Sequence, residues 1–148
     1  MKNIKICITK AKVFETVSLN SAYTGAKQAN DKAEYDKIAT VAADEALLAT
    51  FWREVTGEVA EKFREQITLC ELTDESFEIT LGLSESFDDT LAPSLTDDIT
   101  AAVCSGVTAR WFRFTDPQRA GEWGSNAEAL LERALAKVWQ RRKPKRRF

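Results

Sequence analysis

A chain of 148 residues with 44% hydrophobic and 30% charged side chains is long enough to bury one sizeable core. It has no histidine, which removes the commonest general base and the commonest transition-metal ligand and weighs against an enzyme. The formal net charge of -2 hides a segregation: residues 133–148 hold eight basic side chains and no acid, whereas residues 65–109 hold ten acids and no base.

The first ten residues, MKNIKICITK, place a Lys inside a short apolar run and lack a small-residue cleavage site, so no secretory signal is expected. No stretch reaches the roughly 18 apolar residues of a membrane-spanning helix. A cytoplasmic location, in a host cell or a virion, is the expectation, with no membrane partner. Cys7, Cys70 and Cys104 are far apart, odd in number and without a CxxC, and read as reduced thiols.

Ile4, Ile6 and Ile8 alternate with polar partners at the period of a half-buried strand, although an extended leader into a helix has the same pattern. Residues 11–27 read as a helix with Val13, Val17 and Ala22 inward, and 28–36 as a loop or broken helix. Leu48, Trp52, Val55, Val59, Phe63 and Ile67 recur at three- and four-residue steps, widened by Phe51, with charges opposite; this predicts an amphipathic helix of some 25 residues. Gly57 inside it is a place for a close crossing or a mild bend.

The period then changes. ITLCEL and FEITLGL flank residues 73–76 and predict a hairpin, with Phe77, Ile79, Leu81 and Leu83 on one face. Thr96 is the expected N-cap of the next helix, with Asp97 and Asp98 in its first turn. Its inward stripe is Ile99, Val103, Val107, Trp111 and Phe114. Pro117 suits a further helix start, interrupted near Gly121 and Gly124. Ser125 then caps a last helix with the stripe Leu130, Leu131, Ala134, Leu135 and Val138. The expected fold is mainly α (α+β): a bundle of three to four helices with one hairpin and a short N-terminal strand. A single helix-rich domain over 1–140 would precede a basic tail, 141–148.

Several fragments come near a chemical motif without completing it. YTGAK lacks the first glycine and the hydroxyl residue of a phosphate loop. Asp88-Asp89 and Asp97-Asp98 supply oxygen ligands for a divalent metal, but a turn and a helix N-terminus account for both pairs. Cys104-Ser105-Gly106 is no nucleophile elbow. No catalytic residue, metal site or cofactor is therefore assigned. Trp52 and Trp111 fall on core stripes, Trp123 is a weak contact candidate, and Trp139 would anchor the last turn against a neighbour.

The tail KVWQRRKPKRRF concentrates Arg141, Arg142, Lys143, Lys145, Arg146 and Arg147 beyond the last apolar stripe, with Pro144 to stop the helix. Three readings compete: a solubilising end, salt-sensitive contact with DNA phosphates, and docking on an acidic surface. Glu71, Asp74, Glu75 and Glu78 in the hairpin region form the acidic candidate.

The combination of YTGAK, EYDKI and FWREVTGEVAEKF resembles small helical structural proteins of tailed phages and prophages, over about residues 8–139. The resemblance implies a head–tail connector or tail-completion component acting as one subunit of a ring, and carries no catalytic residues. Ring closure suits two different, complementary patches on each subunit. A non-enzymatic adaptor, docking on protein partners or on itself, is the expected function. A nucleic-acid-binding accessory protein that uses the tail on phosphates is the alternative.

Overall fold

The computed structural model describes residues 1–28 and 45–144. The alternating isoleucines do form a strand, β1 (Lys2–Thr9), which runs without a linker into α1 (Lys10–Gln28). Then follow α2 (Glu45–Lys62), β2 (Ile67–Leu72), β3 (Ser76–Leu83), a short 3-10 turn (Asp89–Leu91), α3 (Ala92–Thr115) and α4 (Pro117–Val138). The fold is mainly α with a three-stranded antiparallel sheet of order β1-β3-β2, so the expected hairpin gains β1 as a third strand.

Register explains which face is covered. Ile4, Ile6 and Ile8 stand opposite Leu81, Ile79 and Phe77, and these apolar pairs share one side of the sheet. Val13 and Val17 of α1, Trp52, Val55, Val59 and Phe63 at α2, and Ile99, Val103 and Val107 of α3 close over it, all buried. Gln28, the first residue of the loop expected over 28–36, still belongs to α1; the rest of that segment and the side chain of Ala22 lie outside what is described.

α2 is shorter than its apolar spacing suggests. The amide of Phe63 still donates to Val59 O, but those of Gln66 and Ile67 both return to Phe63 O, at 2.9 and 3.0 Å. The chain turns there, and Ile67 opens β2 opposite Leu81. An apolar residue four places after Phe63 satisfies a helix period, yet the β-branched Ile67 is equally suited to a strand. Gly57 meets open space, whereas a Cβ on Gly106 would lie 2.9 Å from Val55 Cγ1. Gly106 is the residue that permits α2 and α3 to cross closely.

α3 begins at Ala92, before the expected Thr96 cap, because Pro93 in the first turn needs no amide partner. The preceding 3-10 turn is capped by Asp88, which accepts from Thr90 N at 3.1 Å. Asp97 and Asp98 consequently sit one turn inside the helix. Phe114, expected inward, is 75% exposed, because among the described residues no element covers the face beyond Trp111; Phe112 is buried in its place.

Asp116 caps α4 by accepting from Arg119 N, and Pro117 stands in its first turn as expected. α4 continues through Gly121, Gly124 and Ser125 without the expected break. Each helical glycine costs about 1 kcal/mol. The long α3–α4 contact outweighs that: a Cβ on Gly124 would lie only 3.9 Å from that of Ala109, and Asn126 Nδ2 donates to Ser105 Oγ. Ala127, Ala134 and Val138 are the buried positions, while Leu130 sits beside the stripe, half-buried.

Candidate functional site

The hairpin places the acidic residues by its turn chemistry and register. Thr73 Oγ1 accepts the amides of Glu75 and Ser76, at 3.2 and 3.0 Å, and pins a tight turn with Asp74 and Glu75 at its tip. Glu71 stands directly opposite Glu78 on the outer face, a like-charge cross-strand pair. Glu78 is relieved by Lys5 at 3.7 Å and accepts from Cys7 Sγ at 3.5 Å. Partial burial and the adjoining Glu78 carboxylate push the Cys7 thiol upward. Glu71, Asp74 and Glu75 make no ion pair among the described residues.

The tail begins elsewhere. Asp88 N donates to Gln140 O at 3.2 Å and Arg142 N to Ser86 O at 2.8 Å, so Arg141 pairs with Phe87 as an antiparallel bridge. Arg141 Nη1 donates to Ser86 Oγ, and Arg142 Nη2 to Glu85 O at 3.3 Å. Arg141, Arg142 and Lys143 are exposed; Lys145, Arg146 and Arg147 lie outside the described residues.

The N-terminus grips the same loop from the other side. The Met1 amine pairs with Glu85, and Lys2 Nζ donates to Asp89 Oδ2 at 2.8 Å and to Phe87 O at 3.1 Å. The hydrogen bond from the Met1 amine, then its charge, hold Glu85 below the usual carboxylate range. Bonds from Thr90, with Lys143 and Lys2 further off, do the same for Asp88. The clasp between residues 84–89 and both ends of the described chain was not apparent in the sequence; the only signal was opposite charge, with nothing to fix which acids are used.

Hairpin tip and tail root are therefore at opposite ends of β3. Its eight residues separate Ser76, beside the tip, from Leu83, which leads into the clasp. At about 3.3 Å per residue they are some 23 Å apart.

The aspartate pairs considered for metal have other duties. Asp88 caps the 3-10 turn and Asp89 takes Lys2. The two oxygens of the buried Asp98 accept separately from Arg133, at 3.1 Å, and from Lys137, tying α3 to α4. Among the described residues no group of three or more Cys, Asp or Glu is arranged to hold a metal. Burial pushes the Cys104 thiol upward. Trp123 packs partly against the core, and Trp139 is 62% exposed instead of anchored. Among these residues, no helix is long and apolar enough to cross a membrane.

Two further surfaces emerge only from packing. A groove of about 580 Å3 lies between α2 and α4, floored by Ala102, Gly106 and Ala109 of α3. Arg110 straps it to Glu54 and Glu58, and Lys62 reaches Glu132 across it. The second surface is β2, an edge strand whose residues are exposed from Thr68 to Leu72. Leu69 is 57% and Leu72 43% exposed. Comparison with family models, curated proteins and solved structures finds nothing that matches the chain.

Proposed function

We propose that the protein is a non-enzymatic structural or adaptor component of a phage-like assembly, of the head–tail connector or tail-completion type, that associates head to tail through an acidic hairpin and a basic tail. One observation carries the reading: Glu71, Asp74 and Glu75, which make no ion pair among the described residues, lie at the tip end of β3, and the root of the basic tail lies beyond its other end, with about 23 Å of strand between Ser76 and Leu83. The hairpin acids and the tail-root cations Arg141–Lys143 thus cannot meet within one molecule but can meet between two. A pair of unlike patches of this kind makes heterologous contacts, which close into a ring when the rotation permits.

The supporting chemistry is charge complementarity, which steers encounter and fixes register. The test is solution mass by light scattering at low and moderate salt, for the full chain and for a chain lacking residues 145–148. That truncation leaves the Arg141 bridge intact. A multimer of defined mass that is lost on truncation or with salt is the expected result. A monomer in every condition overturns the reading and leaves the tail to DNA phosphates, for which salt-dependent binding to a duplex is then the measurement.

A further inference from the structure

Edge strands are normally blunted by Lys, Pro, bulges or a covering element, since their unpaired backbone groups invite another strand. β2, with the sequence ITLCEL, carries neither Lys nor Pro, and among the described residues no element covers it. Its only irregularity is a bulge near its start, between Ile67 and Leu69. The Thr73 amide donates to Ser76 O, so alternation places Glu71 and Leu69 in the pairs bonded to β3. Cys70 and Leu72 then turn their N–H and C=O groups to the open edge. Glu71 on β2 and Asp74 and Glu75 in the turn after it bring carboxylates to that edge.

The tail has the complementary form. It is already extended at Arg141, where Gln140 and Arg142 spend their backbone groups on the residue 86–88 segment of their own chain. Alternation leaves the other side of the tail, at Arg141 and Lys143, without a strand. Pro144, which has no amide to donate, faces away from that side.

We infer that residues 143–148 of a second copy add to the open edge of β2 as a fourth strand. This rests on the head-to-tail reading above and specifies how the contact is made. Six extended residues span about 20 Å, the length of the six-residue β2. Lys and Arg head groups meet the acidic rim, while their stems and Phe148 cover the exposed Leu69 and Leu72. A second β2 is a poorer occupant, because it would bring the same carboxylates against themselves.

The test uses the full chain. Amide exchange is followed residue by residue under assembling conditions at low salt and under dissociating conditions at high salt. The Cys70 and Leu72 amides should slow at least tenfold on assembly, with little change at Leu69 and Glu71. In parallel, Lys145→Cys in a Cys7→Ser background is oxidised mildly; an intermolecular link to Cys70 is expected. A multimer whose Cys70 and Leu72 amides stay fast, with no such link, overturns strand addition and leaves the head-to-tail reading standing. A Cys70–Cys70 link in the Cys7→Ser parent overturns it in favour of paired edges. Absence of any multimer overturns both.

Discussion

Two acidic surfaces of this molecule have opposite fates. Between residues 84 and 98, three of the five carboxylates are ion-paired within the chain: Glu85 with the Met1 amine, Asp89 with Lys2, and Asp98 with Arg133 and Lys137. In the hairpin, among the described residues, only Glu78 has a cation, Lys5, and Glu71 is set against a like charge. Acids that hold the fold together are neutralised locally. The Glu71–Glu78 pair instead sets like charges against each other, an arrangement that costs a little stability.

The sharpest way to break the comparison is at Asp98. Asp98→Ala leaves Lys137, itself largely buried, without its counter-ion between α3 and α4. Removing one member of a buried pair costs 3–5 kcal/mol; with Arg133 largely exposed, about 2–3 kcal/mol is expected here. Urea unfolding measures it, and a change below about 1 kcal/mol would remove Asp98 from the stabilising group. The assembled mass, normalised for folded protein, should not change.

The hairpin should behave in the opposite way. Asp74→Lys with Glu75→Lys is expected to leave the unfolding midpoint in place while the multimer dissociates at low salt. Adding Lys145→Glu, Arg146→Glu and Arg147→Glu should bring mass back. Failure of that exchange to restore any association would mean that these charges do not face each other. A subtler effect is predicted for Glu71→Lys, which converts the repulsive pair with Glu78 into an attractive one. Hairpin stability should rise by about 0.5 kcal/mol as association falls. Equal signs in the two measurements would contradict the division drawn between the surfaces.

The smallest effect concerns the clasp. Glu85 and Asp88 have carboxyls held below their ordinary values in the fold. Their contribution is present above the ordinary carboxylate range and is lost as the pH falls through those lowered values. Residues 140–143 should therefore gain amplitude in 15N relaxation at strongly acid pH, relative to neutral pH, before the core unfolds. Unchanged order parameters would show that the backbone bridge at Phe87 alone holds the tail.

Much of the fold was legible along the chain because its cores are periodic. The alternation of Ile4, Ile6 and Ile8, the α2 stripe, and the paired runs about residues 73–76 each follow from one local rule. The misreadings occurred where one residue satisfied two rules. Ile67 completes a helical spacing and begins a strand; Gly121, Gly124 and Ser125 signal a helix break and a cap but lie within an unbroken α4. Phe114 continues the spacing of α3 past the point where any described element covers it. The site was legible in charge but not in pairing: the same ten acids in residues 65–109 offered the tail several destinations.

Composition, period and turn chemistry are properties of neighbouring residues, so the sequence by itself determined a mainly helical chain, a hairpin with an acidic tip, and a basic end after Pro144. Tertiary structure alone decided which acids are spent. That choice depends on where β3 points: its central place between β1 and β2 carries the chain from the tip to the far end of the sheet, where residues 84–89 meet Met1, Lys2 and the tail root. It also decided that β2, not β1, carries the exposed apolar residues. The helices and the inner side chains of β1 and β3 bury one another, whereas on β2 Leu69 faces the outer side opposite Thr80 and Leu72, opposite Phe77, is left exposed at the edge of the inner side. Such coincidences of distant segments are not encoded in any local pattern, because they depend on how the whole core closes.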